Sequence, residues 1–121
     1  MEFARMNLRT ATLFLALACS ASALASPTGN IADGKKKAVA VCAACHGADG
    51  NKTLDGTYPK LAGQYPDYLS KALHDYKSGK RKNPIMGGQA QSLSEQDIAN
   101  VAAYFGSLTD TQIHDLSGHS R

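Results

Sequence analysis

Tryptophan is absent from this chain of 121 residues, and bulky side chains of every kind are scarce once the first 25 positions are set aside. Those 25 positions hold 17 of the 52 apolar residues. Of the 35 that follow, only 21 are larger than alanine or cysteine, and all 11 glycines fall in this part. A chain so short and so poor in bulk supports one small domain and excludes a multidomain enzyme. Small domains with thin cores depend on a disulfide, a metal or another staple. Long hydrophobic runs are lacking too. The longest, about nine residues from Ala11 to Cys19, falls well short of the roughly 20 a membrane-crossing helix needs, which excludes a polytopic membrane protein. Nor is charge of one sign concentrated: the net charge is +3, too mild for a dedicated nucleic-acid binder.

The first 25 residues carry Arg5 and Arg9 ahead of the apolar run, then Ala23-Leu24-Ala25, a small-x-small cleavage pattern. They read as a secretory signal peptide, with Ser26 as the new N-terminus. A lipid-modified Cys19 is the alternative, which Ala16-Leu17-Ala18 fits poorly. Cleavage removes Glu2, Arg5 and Arg9, takes the net charge to +2, and leaves no stable membrane insertion.

Cysteine is the scarcity with the most chemistry. Beyond the leader only Cys42 and Cys45 remain, in Cys42-Ala43-Ala44-Cys45-His46. C-x-x-C-H is the attachment signature of c-type haem. Two thiols a helical turn apart can each add to one haem vinyl group, and the adjoining His46 is placed to bind the iron. A thioredoxin-like pair would need a preceding strand, and none is predicted. A zinc site would need further ligands from His74, His114 or His119, and a plain disulfide leaves His46 without a role.

Around this motif the pattern is helical. Asn30 caps a helix expected over Ile31 to about Val41, with Asp33 in its first turn and Ile31, Ala38 and Val41 or Cys42 on its apolar side. Residues 47–64 read as a loop with a turn at Asp49-Gly50-Asn51, and Pro59-Lys60-Leu61 is placed to line a crevice. Pro66 opens a second helix that keeps Tyr65, Leu69, Ala72, Leu73 and Tyr76 at helical spacing and stops at Gly79. A basic loop from Lys80 to Gly88 follows. Ser94 caps the last helix, whose stripe is Ile98, Val101, Ala102 and Phe105 and whose end is Gly106 or Ser107. The fold class is all-α with three main helices: leader 1–25, domain 26–108 and a polar tail 109–121.

Haem iron held by one histidine leaves a sixth position. Met86 is the one methionine after the leader, 40 residues beyond His46. Its thioether is a soft ligand that raises the potential. Core filling is the competing role for a methionine, and His74 is the competing ligand.

With these residues in view, the chain resembles the class I c-type cytochromes. More narrowly, it resembles the small bacterial periplasmic ones whose domain also occurs duplicated in dihaem forms. The likeness runs from Asp33 to Leu108 and rests on Cys42 to Gly47, Tyr58-Pro59-Lys60-Leu61-Ala62-Gly63-Gln64, Lys77 to Met86 and Leu93 to Phe105. It implies one haem c attached through two thioethers and loops wrapped around it. It implies that the Pro59 carbonyl meets the second ring nitrogen of His46, and that Leu61 packs on the haem. It also implies that Gly34 lies where the first and last helices cross, opposite Val101 and Tyr104. The family often has an aromatic one turn after that glycine, where this chain has Ala38.

The implied function is single-electron transfer between periplasmic or membrane redox partners by a soluble monomer, not an enzyme. Lys80, Arg81 and Lys82 are a candidate docking patch for an acidic partner, or else a solvated charge run. The alternatives are a cytochrome subunit permanently bound to a catalytic oxidoreductase, and an open-site haem peroxidase or gas sensor.

Overall fold

A computed structural model describes residues 26–108. Residues 1–25, read above as a leader, and 109–121, read as a tail, with His114 and His119, lie outside the described residues. Within them the chain is helical and contains no strand.

Asn30 sits in extended backbone, and its side chain accepts from the Asp33 amide at 3.0 Å. This N-cap starts α1, Ile31–Lys37. The helix does not stop near Val41. It widens into one π-helical turn, Ala38–Cys42, where the Ala43 amide donates to the Ala38 carbonyl five residues back. It then continues as α2, Ala43–His46, so the C-x-x-C-H motif is itself helical.

The segment after His46 turns back under the helix. Asp49 Oδ1 accepts from the amides of Asn51 and Lys52 at 2.9 Å each. Gly50 follows at φ 71°, the left-handed backbone that glycine adopts without strain. The Gly50 carbonyl accepts from Leu61 and Ala62, which returns Pro59 to Ala62 beneath His46.

α3, Pro66–Lys77, begins with proline in its first turn. A further helix, α4, Pro84–Gln91, then occupies what reads in the sequence as the end of a basic loop. Asn83 caps it, Pro84 opens it, and Ala90 is fully buried. α5, Glu95–Ser107, starts on a reciprocal capping box between Ser94 and Asp97.

The core is centred on α5. Ala38, Leu69, Val101, Ala102, Tyr104 and Phe105 form one buried cluster, with Cys42, Leu61 and Leu73 packed on it. Each large apolar side chain buried in this way contributes roughly 1.5–3 kcal/mol. α1 meets α5 through Gly34, where an added Cβ would fall 2.0 Å from the Asn100 carbonyl oxygen and 2.8 Å from Tyr104 Cβ. The nearest partners of Gly34 are therefore Asn100 and Tyr104, not Val101. Ile31, expected on the packed side, is 52% exposed. The buried side of this helix carries Gly34 and Ala38, as expected, and then His46.

Candidate functional site

A cavity of about 510 Å³ opens between the end of the first helix, the returning loop, α3, α4 and the inner side of α5. This lies within the roughly 300–1,000 Å³ of cofactor sites. Cys42, Cys45, His46, Pro59, Leu61 and Met86 all line it.

His46 is buried, 5% exposed, and its Nδ1 lies 2.8 Å from the Pro59 carbonyl oxygen. A carbonyl only accepts, so Nδ1 carries the proton and donates. In the neutral ring Nε2 is then left with its lone pair, the form in which imidazole binds a metal. Tyr58 meets the imidazole edge-on, with ring centroids 6.2 Å apart.

Neither Cys42 nor Cys45 is in a disulfide. Burial pushes the Cys42 thiol up to about 11, against a smaller opposing pull from Lys37. A thiol held protonated is a poor redox nucleophile and a poor metal ligand. Among the described residues no three His, Cys, Asp or Glu side chains gather as a metal-binding group.

Met86 reaches the cavity from the first turn of α4. Asn83 Oδ1 accepts from the amides of both Ile85 and Met86 at 3.0 Å. Neither this cap nor the Tyr58 contact is anticipated above. The Asn83-Pro84 pair was the available signal, a capping side chain followed by proline at the first helical position.

The basic triplet is divided. All three residues are exposed, but only Arg81 also lines the cavity, with its guanidinium 5.1 Å from the Tyr76 ring centroid and 3.4 Å from the Tyr68 hydroxyl.

His74 lies elsewhere, in a separate surface depression with Lys77, Lys80 and Glu95. Its Nδ1 is 2.8 Å from the Ser70 carbonyl oxygen and its Nε2 is 2.6 Å from Glu95 Oε2. With both nitrogens facing acceptors the ring favours its charged form. The Glu95 hydrogen bond holds its pKa up, and Glu95 is held down by the same bond. Neither nitrogen of His74 is available as a ligand.

The residues present fit a covalently held haem. Two thiols stand three positions apart beside a histidine of fixed tautomer. A thioether comes from a distant segment, and Leu61, Leu69, Val101 and Phe105 supply apolar walls to one space.

The sequence model of the family described as Cytochrome c matches residues 31–109. Cytochrome c4 of Pseudomonas aeruginosa is 49% identical over 102 residues, 84% of this chain and 49% of that protein. Cytochrome c-554(548) of Halomonas halodenitrificans is 43% identical over 82 residues, 65% of this chain and 96% of that one. The crystal structure of reduced recombinant cytochrome c4 from Pseudomonas stutzeri superposes with a TM-score of 0.62 at 43% identity, covering 68% of this chain and 47% of that one. The chain thus spans about half the length of the cytochromes c4 it matches.

Proposed function

The chain belongs to the cytochrome c family, and from that premise we propose that it carries single electrons between periplasmic redox partners as a monohaem cytochrome. One observation carries this reading: a single cavity collects both cysteines of C-x-x-C-H, its histidine with Nδ1 engaged by Pro59, and the sole methionine outside the leader. Haem c, which members of the family carry covalently bound, supplies a one-electron iron couple when attached.

The chain's own residues set the conditions for transfer. Cys42 and Cys45 fix the haem to the helix end. Pro59 keeps the proton of His46 on Nδ1, which presents Nε2 to the metal and raises its basicity. Met86 would supply a thioether to the iron, a soft ligand that would favour the reduced state. Leu61, Leu69 and Phe105 exclude water. A haem held by both His46 and Met86 would have no site left for a substrate, so the proposed role is that of a carrier, not an enzyme. Residues 1–25 as an export leader, 26–108 as the haem domain and 109–121 as a polar tail belong to the same proposal.

The oxidised protein should show the weak far-red band of methionine–iron ligation, and the reduced protein should resist carbon monoxide at neutral pH. Met86→Ala should remove the band, lower the potential and admit carbon monoxide. A band that survives the substitution would show that another group is the ligand.

A further inference from the structure

We propose that Asn83 is the positioning residue for the sixth ligand: by holding the backbone of Met86 it sets how readily the thioether leaves the iron. The inference rests on the reading of Met86 as that ligand. The first turn of α4 has three amide protons to place, because Pro84 has none. All three go to Asn83. Its Oδ1 takes those of Ile85 and Met86 at 3.0 Å each, and its main-chain carbonyl takes that of Gly87 at 2.8 Å. Its backbone is extended, φ −157° and ψ 121°, the conformation that a following proline favours and that an N-cap requires.

Among the described residues no other side-chain hydrogen bond reaches the first turn of α4. Ile85 is 55% exposed. The two glycines after Met86 weaken the helix, and a Cβ on Gly88 would meet nothing within 4 Å. The firm contacts are at the other end, where Ala90 is fully buried and Gln91 Nε2 donates to the Lys77 carbonyl at 2.6 Å. Met86 thus lies on the end of α4 whose order depends on one side-chain oxygen, and Asn83 itself lines the cavity.

The test is displacement of the thioether by imidazole in the oxidised, haem-loaded protein, followed by loss of the far-red band. The Fe–S bond breaks and an Fe–N bond forms, with no change in oxidation state. Asn83→Ala should bind imidazole about fivefold more tightly, the size of a typical lost N-cap. Its midpoint potential should be lower, with Soret and far-ultraviolet spectra unchanged. Asn83→Ser, whose hydroxyl can cap, should return the affinity to within about twofold of the unaltered protein. An unchanged affinity in Asn83→Ala, alongside a Met86→Ala protein that lacks the band, would overturn the role of Asn83 and leave Met86 as ligand. A serine variant that behaves like the alanine variant would overturn it equally. A band retained in Met86→Ala would overturn the ligand reading itself. Should Asn83→Ala not fold, amide exchange in the unaltered haem protein decides: slowed exchange at Ile85 and Met86 is expected, and unprotected exchange there would overturn the proposal.

Discussion

Where α1 crosses α5, main chain packs on main chain. Gly34 brings its backbone against the Asn100 carbonyl, and Asn100 Oδ1 accepts from the Asn30 amide at 2.7 Å. The Tyr104 hydroxyl donates to the Ala48 carbonyl at 2.9 Å, tying α5 to the loop beyond the haem motif. Around the cavity the same chain behaves otherwise. Met86, Tyr76 and Leu73 are only half-buried, and Tyr68 and Ile85 are largely exposed. The first region closes on itself. The second encloses a volume that protein atoms do not fill, so the two should respond differently to loss of the haem and to changes in the chain.

The strongest test removes the filling. Without the group that fills it, the cavity of about 510 Å³ leaves its apolar walls facing water, and the whole stability of a domain is only about 5–15 kcal/mol. A Cys42→Ala, Cys45→Ala double variant, produced without haem, should therefore show no cooperative thermal transition by circular dichroism. A sharp melt would mean that the cavity side stands without its cofactor. The closed region is probed next. Gly34→Ala should cost about 3 kcal/mol or more, because the new methyl meets a carbonyl oxygen that only a helix shift can move. Gly56→Ala, where a Cβ meets nothing within 4 Å, should stay within about 0.5 kcal/mol. Denaturant melts of the two haem-loaded variants would compare them, and equal stabilities would contradict the close crossing.

The smallest effect concerns pH. His74 has its pKa raised in the fold, so its contribution is complete below its ordinary value of 6.5 and is lost as pH rises through the raised value. Glu95 is lowered, so its contribution is complete above its ordinary 4.5 and is lost as pH falls through the lowered value. Lys77, 3.4 Å from Glu95 Oε1, opposes the charge on His74 and supports that on Glu95. The pair thus contributes most between these ordinary values. The pair is exposed and screened, so melting temperature should fall only roughly 1–2 °C from pH 5.5 to pH 9 on its account. Glu95→Gln should remove that increment. A rise with pH that depends on Glu95 would have the wrong sign.

The haem motif and the starts of α3 and α5 could be read from the sequence because each carries a local chemical signature: fixed thiol spacing, proline in a first turn, a capping serine before an apolar stripe. The contact between Pro59 and His46 has no such local signature and was legible only through the family resemblance. α4 was not legible as a helix because Pro84, Gly87 and Gly88 all score as breakers. Only a proline at the first helical position and a capping asparagine redeem them. On α1 the expectation held for Ala38 and, through the resemblance, for Gly34, but not for Ile31, because hydropathy scores its side chain whereas the close backbone approach at Gly34 decides which side packs. The π-helical turn has no residue signature at all, since it is a change in which carbonyl an amide finds.

That wider turn has a geometric consequence for the haem motif. Gly34, Ala38, Cys42 and His46 are spaced by four. In an unbroken α-helix of 3.6 residues per turn such a series drifts about 40° at each step, roughly 120° over three. The turn at Ala38–Cys42 takes back part of that rotation, so the backbone that packs on α5 and the imidazole that meets Pro59 stay on one side of a single rod. A chain one residue shorter between Ala38 and Cys42, wound as plain α-helix, would leave His46 only about 20° from Gly34, eleven steps of 100°. The wide turn is what lets twelve residues do the angular work of eleven and keep both groups on one side.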